Sequence, residues 1–135
     1  MNIALWILQV LLAALFFWHG CLFLSPPPEY VEIMNAQFAY WFRMFLGTAE
    51  VLAAIGLILP GAMRVLPKLT PLAAVGLMIV TASATVFHSS RGETGSAIQT
   101  SILFALLTFL AVMRWKVKPI TARQPQTSGV AQSHA

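Results

Sequence analysis

One carboxylate and two histidines interrupt the long apolar stretches of this chain. Glu50 has apolar residues on both sides, and His19 and His88 lie toward the ends of two other apolar runs. An ionisable side chain at membrane depth costs several kcal/mol and rarely faces lipid, so it marks a candidate functional site. Histidine and glutamate can donate, accept and exchange protons with the oxygen atoms of a bound molecule.

Two further polar residues complete the candidate site. Arg43 lies seven positions before Glu50, so Arg43, Gly47 and Glu50 share one helix face. The two charged groups are about 10 Å apart along the helix axis, which argues against a direct ion pair. Gln99 follows the last loop, where its spacing from Ser96 also fits a capping box. The predicted ligand-binding residues are therefore Glu50, His19, His88, Arg43 and Gln99.

Other site chemistries lack the residues that they need. No His-x-x-x-His or Cys-x-x-Cys spacing supports a metal, so we predict no metal site. Two histidines on different spans can hold haem, but both are expected near one membrane surface and no second pair exists, which disfavours haem. The chain has no aspartate for a Ser-His-Asp triad and no glycine-rich phosphate loop. Catalytic residues stay unknown, and whether the chain is an enzyme is left open.

The elements that position these residues are apolar runs long enough to cross a membrane. The chain is 59% hydrophobic and only 9% charged, whereas a soluble domain carries about 25% charged residues. Four spans are predicted at about residues 3–24, 42–59, 71–88 and 97–115, each near the ~20 residues that a membrane helix needs. The predicted fold is all-α: an integral membrane four-helix antiparallel bundle within residues 1–118.

Local sequence signals predict where these helices begin and end. Pro60-Gly61 is expected to end the second span, and Thr70 to cap the third with Pro71 at its first position. The segment 25–37 has helix-like spacing and predicts a short amphipathic helix between spans one and two. Three glycines within the spans are expected at close-packing positions: Gly47, Gly56 and Gly76.

The loops predict the orientation of the bundle. Four spans place both termini on one side, which carries six basic residues, while the other side carries two. The positive-inside rule then makes this a multi-pass protein of the cell membrane with both termini cytoplasmic. Residues 119–135 are expected to form a disordered cytoplasmic tail. The six basic residues on the side of the termini are Arg64, Lys68, Arg114, Lys116, Lys118 and Arg123, and the two on the other side are Arg43 and Arg91.

Residues in the second span and at the end of the third span resemble those of a known protein family. The run from residue 46 to residue 60 resembles the second span of the DoxX-like family, and the Phe87-His88 and Arg91-Gly92-Glu93 endings fit its third span. The resemblance covers about Ile3 to Trp115. First spans of that family often end in small-Gly-x-x-Lys, whereas this chain lacks the lysine. The quoted run is Leu46-Gly47-Thr48-Ala49-Glu50-Val51-Leu52 with Gly56-Leu57-Ile58-Leu59-Pro60.

The resemblance implies a small four-helix membrane protein, and some relatives resemble a membrane subunit of a thiosulfate:quinone oxidoreductase. We therefore expect a redox-associated subunit that binds a quinone or another amphipathic small molecule in an outward-facing polar pocket. The expected partners are the lipid bilayer and redox subunits, with a homo-oligomer left open. Nucleic acid is not expected, because the basic residues behind the net charge of +4 mostly flank apolar runs.

Two alternatives from other functional classes stay open. The chain could be a non-enzymatic assembly or chaperone subunit, in which the polar cluster stabilises the bundle or docks a partner. It could also be a small proton-coupled transporter with Glu50 as the carrier. The transporter is the weakest hypothesis, because small multidrug exporters of this size carry their key glutamate in the first span and this first span has no carboxylate.

Overall fold

A computed structural model describes residues 2–122, and this part of the chain is helical apart from its loops and its last residues. The helices are α1 (Asn2–Leu24), α2 (Pro28–Gln37), α3 (Tyr40–Met63), α4 (Leu69–Ser90) and α5 (Thr94–Val112), and a π-helical segment, Met113–Val117, continues α5. The helices α1, α3, α4 and α5 with its π-helical continuation are long and apolar enough to cross a membrane. The predicted all-α bundle of four membrane helices is therefore confirmed. Most of the tail predicted to be disordered, residues 123–135, lies outside the described residues.

The four spans form two hairpins that pack side by side. α1 packs mainly against α3 and α4 mainly against α5, while α3 also packs against α4. We call one end of the bundle the loop end; it carries α2 and the turn Arg91–Glu93. The other end, here the terminal end, carries the start of α1, the turn 64–68 and the π-helical segment.

The helical repeat determines which residues reach the interior. In α3 the buried positions are spaced alternately by four and three residues, as expected for one face of a helix with 3.6 residues per turn. Many large apolar side chains point outward instead; Ile79 is 65% exposed and Val86 is 70% exposed. Such an apolar exterior is suited to contact with lipid chains. The buried α3 residues are Arg43, Gly47, Glu50, Ala54, Leu57 and Gly61.

The predicted end of α3 and the predicted start of α4, on either side of the turn 64–68, are both wrong. α3 does not end at Pro60 but continues to Met63, and Arg64 then terminates it in the left-handed conformation with φ 56°. Pro60 removes one backbone donor, which a packed helix can tolerate. Thr70 does not cap α4, because the helix begins at Leu69 and Lys68 is the capping residue. The Thr70 side chain is instead fully buried.

The predicted capping box at the start of the last span is also wrong. The backbone N–H of Ala97 donates to the carbonyl of Glu93, so that α5 begins at Thr94 with Glu93 as its cap. Ser96 therefore lies inside the first turn rather than before it. A carboxylate at this position complements the positive end of the helix dipole.

Two of the three glycines predicted at close-packing positions are in tight contacts. A Cβ atom added to Gly47 would lie 2.9 Å from the carbonyl oxygen of Gly20 in α1, and one at Gly56 would lie 3.1 Å from the Cβ of Ala73 in α4. Gly76 was assigned wrongly, because a Cβ there would meet nothing within 4 Å. The Gly20–Gly47 contact brings the backbones of α1 and α3 together at the level of the candidate site.

The predicted short helix between spans one and two is present as α2, and aromatic rings lie beside it at the loop end. Phe38 follows α2 and its ring centroid lies 5.7 Å from that of Phe23 and 5.3 Å from that of Phe87. A third partner, Phe42, has its centroid 5.9 Å from that of Phe38. These rings join α1, α3 and α4 next to the polar residues of the loop end.

Candidate functional site

A hydrogen-bonded pair of ionisable side chains joins α1 to α3. Nδ1 of His19 lies 2.6 Å from Oε2 of Glu50, and the side chain of Glu50 is 2% exposed while that of His19 is 45% exposed. An ionised carboxylate can only accept, so this bond needs one proton, carried either by the imidazole or by the carboxyl group. The pair therefore connects a buried acid to a half-exposed base.

Small residues beside the pair allow the two helices to approach closely. Gly20 follows His19 in α1, and a Cβ added to it would lie 2.9 Å from the carbonyl oxygen of Gly47 and 3.1 Å from the backbone nitrogen of Val51. A larger residue at either glycine would push the helices apart. The short hydrogen bond between His19 and Glu50 depends on this approach.

Arg43 is attached to the same helix pair by a different bond. Its side chain is 4% exposed, and its guanidinium donates to the backbone carbonyl of Phe23 at 2.7 Å. The ring of Phe23 in turn lies against His19, with 4.8 Å between the centroids. Arg43, Gly47 and Glu50 thus share one helix face as predicted, and the structure shows that this face is buried. Arg43 binds α1 rather than Glu50.

His88 belongs to a separate pair at the α4–α5 turn. Its Nδ1 lies 2.5 Å from Oε2 of Glu93, and Nε of Arg91 donates to Oε1 of Glu93 at 3.0 Å. The hydrogen bond from His88 and then the contact with Arg91 lower the pKa of Glu93 below its ordinary value of 4.5. The turn therefore holds a carboxylate between two basic side chains.

The five predicted site residues are only partly brought together. His19 and Glu50 form one pair, Arg43 lies beside that pair through Phe23, and His88 pairs with Glu93 instead. Gln99 is exposed on α5 and its side chain makes no hydrogen bond within residues 2–122. In that same range no three histidine, cysteine or acidic side chains are grouped as metal ligands would be.

A cavity near the loop end lies elsewhere, in a groove between α4 and α5. Its volume is about 560 Å³, and Thr85, Ser89 and Ser101 are among the residues that line it. None of the five predicted site residues lines it. A molecule that reaches His19 would therefore bind at the surface of α1 and α3, and not in this groove.

A second buried polar cluster at the terminal end was missed in the sequence. Arg114, in the π-helical segment, is 3% exposed; its Nε donates to Oε1 of Gln9 at 2.9 Å and its Nη1 donates to Oδ1 of Asn2 at 2.8 Å. The amide of Gln9 also donates to the carbonyl of Leu57 in α3. The guanidinium carbon lies 5.2 Å from the ring centroid of Trp6. Three of the four spans meet in this cluster.

A signal for this cluster was present in the spacing of residues. Leu107, Leu110, Ala111 and Arg114 lie on one face of the last span at i, i+3, i+4 and i+7, and all four are buried. In the sequence, Arg114 was instead counted among the six basic residues that indicate the cytoplasmic side. The helical period, rather than the position along the span, indicates its burial.

Comparison with known proteins gives one positive result. Neither a search of curated proteins nor a search of solved structures finds a match. The DoxX-like family, however, matches residues 7–111, which include nearly all of the four spans and both members of the His19–Glu50 pair. The chain therefore belongs to the DoxX-like family and is a membrane protein of four spans.

Proposed function

We propose that this protein is a redox-associated membrane subunit that binds the polar head of a quinone, or of a similar amphipathic molecule, at His19. The observation that carries the proposal is the pairing of a half-exposed imidazole with a buried carboxylate, His19 with Glu50. Within residues 2–122 the second ring nitrogen of His19 makes no hydrogen bond. It is the atom that would bond a ligand oxygen.

The two residues have different roles in this proposal. Glu50 orients the imidazole through Nδ1, and the two residues share the proton of this hydrogen bond. His19 then presents Nε2 to the carbonyl or hydroxyl oxygen of the ligand, as donor or acceptor according to where the shared proton lies. The ring of Phe23 beside His19 supplies an apolar surface for the ligand. Electron transfer belongs to partner subunits.

The orientation proposed for the bundle places this site toward the outside of the cell membrane. Two basic residues are buried within the protein, Arg43 at the loop end and Arg114 at the terminal end. We therefore leave their charges out of the positive-inside comparison. Without these two, residues 2–122 have one basic residue at the loop end, Arg91, and four at the terminal end: Arg64, Lys68, Lys116 and Lys118. The bias still favours cytoplasmic termini.

Cysteine accessibility tests this orientation. A single cysteine is introduced as Arg64→Cys or Glu32→Cys into a Cys21→Ser background, and intact cells are treated with a membrane-impermeant maleimide. We expect labelling at position 32 and none at position 64 until the membrane is opened. Labelling of position 64 from outside would reverse the proposed orientation.

Direct binding tests the ligand proposal. Trp18 precedes His19 and is 60% exposed, so a short-chain quinone bound at His19 should quench tryptophan fluorescence. We expect His19→Gln to weaken quinone binding about tenfold, the effect of losing one hydrogen bond that involves an ionisable group. His88→Gln is the matched control, because that histidine pairs with Glu93 and should leave affinity unchanged. Equal affinity in all three proteins would reject the ligand site.

The tight packing at the pair favours a second candidate, an assembly subunit without a ligand. Gly20 and Gly47 leave no room between α1 and α3, and neither residue of the pair lines the groove between α4 and α5. In an assembly subunit the His19–Glu50 pair would stabilise the bundle, and His19 would dock a partner protein. Undetectable quinone binding, together with loss of co-purifying subunits in His19→Gln, would favour this candidate.

A further inference from the structure

A cavity at the terminal end lies against the buried arginine. Its volume is about 370 Å³, and Arg114, Lys68 and Trp115 are among the residues that line it. This volume falls within the range of small-molecule sites, which is about 300–1,000 Å³. We call it the Arg114 cavity.

One nitrogen of the Arg114 guanidinium has a donor capacity that no protein atom in residues 2–122 uses. Nε and Nη1 donate to Gln9, Asn2 and the carbonyl of Lys118, but Nη2 is buried and has no hydrogen-bond partner within residues 2–122. All of its protein acceptors are neutral oxygens. A buried charged donor without a counterion is costly, which makes an anion at this place favourable.

No acidic side chain of the chain is available to supply that counterion at the terminal end. The four carboxylates are Glu29, Glu32, Glu50 and Glu93. Three of them belong to the loop end. Glu50 lies in α3, seven residues or about 10 Å along the helix axis from Leu57, and Leu57 is the residue whose carbonyl bonds Gln9. Within residues 2–122 the terminal end therefore carries basic side chains and no acidic one.

The start of α4 adds to the attraction for an anion. Lys68, the capping residue of this 22-residue helix, and Pro71 in its first turn both line the Arg114 cavity. The amino end of a helix carries a partial positive charge, and a phosphate group there is a favourable ligand. Trp115, also in the lining, is a residue type that is common at the level of lipid headgroups.

We propose that the Arg114 cavity binds a phosphate group, either in the headgroup of an anionic lipid or as free phosphate. The guanidinium of Arg114 and the ammonium of Lys68, which both belong to residues that line the cavity, supply the positive charge that holds the phosphate. This site is independent of the quinone proposal, because it lies at the other end of the bundle and shares no residue with the His19–Glu50 pair.

Native mass spectrometry of the protein released from nanodiscs tests the lipid source. The nanodiscs contain equal amounts of phosphatidylglycerol and phosphatidylcholine, and the measurement is the ratio of the two lipids retained on the protein. We expect retained phosphatidylglycerol in the wild type and about a fivefold lower ratio in Lys68→Gln, the effect of one lysine near a lipid surface. Lys68 is exposed, so its replacement should not prevent folding.

A matched variant and a phosphate titration complete the test. Lys116 is exposed at the same end and does not line the cavity, so Lys116→Gln should retain the wild-type ratio. An equal loss in both variants would indicate general surface attraction and overturn the proposal. Inorganic phosphate, compared with chloride at equal ionic strength, should raise the melting temperature if free phosphate also binds. Neither lipid preference nor a phosphate effect in the wild type would likewise overturn it.

Discussion

The two ends of the bundle bury polar groups of different kinds. At the loop end, α1 meets α3 through His19 and Glu50, an acid and a base that share a proton. At the terminal end, α1 meets the last span through Gln9 and Arg114, a neutral amide and a permanent cation. Arginine keeps its charge at every accessible pH, whereas a histidine–carboxylate pair can gain or lose a proton.

This difference indicates a division of roles within one short chain. The guanidinium of Arg114 is almost fully buried and joins Asn2, Gln9 and Lys118, so it mainly holds the terminal end together. The imidazole of His19 is half-exposed and attached by one bond, so it is the group able to contact another molecule. The terminal end should therefore contribute more to stability, and the loop end more to recognition.

The largest expected effect is the loss of stability in Arg114→Gln. The shorter side chain cannot reach both Asn2 and Gln9, which leaves buried polar groups without partners. We expect the free energy of unfolding to fall by about 3 kcal/mol. Thermal unfolding in detergent, followed by tryptophan fluorescence, measures it.

The control for that experiment is Lys116→Gln, which removes an exposed charge of the same end. It should unfold within about 0.5 kcal/mol of the wild type. If both variants unfold alike, Arg114 does not hold the terminal end together, and the contrast between the two ends fails.

A smaller effect is expected where α1 and α3 are in closest contact. In Gly47→Ala the new methyl group would lie 2.9 Å from the carbonyl oxygen of Gly20, so the helices must separate. We expect a loss of about 1–3 kcal/mol and a weakened His19–Glu50 bond.

Gly76→Ala provides the matched control for this substitution. Gly76 also lies within a span, but its added methyl group meets no atom within 4 Å. Alanine favours a helix over glycine, so this variant should be as stable as the wild type or more stable by up to about 1 kcal/mol. Equal destabilisation of the two variants would mean that helix contact at Gly47 is unimportant.

The smallest effect concerns the second histidine–carboxylate pair, at the α4–α5 turn. Because His88 and Arg91 lower the pKa of Glu93 in the folded protein, its stabilising contribution is present above the ordinary value of 4.5 and is lost as pH falls through the folded pKa. The melting temperature should therefore drop on acidification below about pH 4.5, and less so in Glu93→Gln.

Glu29→Gln is the control, since it removes a carboxylate from α2 for which no ion pair is present in residues 2–122. Its melting profile between about pH 6 and about pH 3 should follow the wild type. Parallel profiles for Glu93→Gln and the wild type would show that the ionised carboxylate adds nothing at the turn.

Composition and helical period were sufficient for the fold and for part of the polar arrangement. Four apolar runs predicted four spans, and the spacing of Arg43, Gly47 and Glu50 predicted that they share one helix face; the structure confirms both. Both predictions rest on local geometry. Each requires only that a helix has 3.6 residues per turn and must match the thickness of a membrane.

The pairing of polar groups could not be read in the same way. His19 and His88 are at similar predicted depths, but His88 bonds to Glu93, five residues away, instead of reaching α3. Depth along a span does not determine rotation about its axis, and tertiary contacts select the partner. The start of α5 was missed because tertiary contacts also determine the role of Glu93. Its backbone caps α5, while its side chain binds His88 and Arg91.

The most direct test of the account is native mass spectrometry of the protein extracted gently from its own membranes. The wild type, His19→Gln and His88→Gln are compared for small molecules that co-purify. We predict an amphipathic molecule of quinone class on the wild type and on His88→Gln, with occupancy reduced about tenfold on His19→Gln. If no such molecule is retained by any of the three, or if all three retain it equally, the His19–Glu50 pair is not a ligand site.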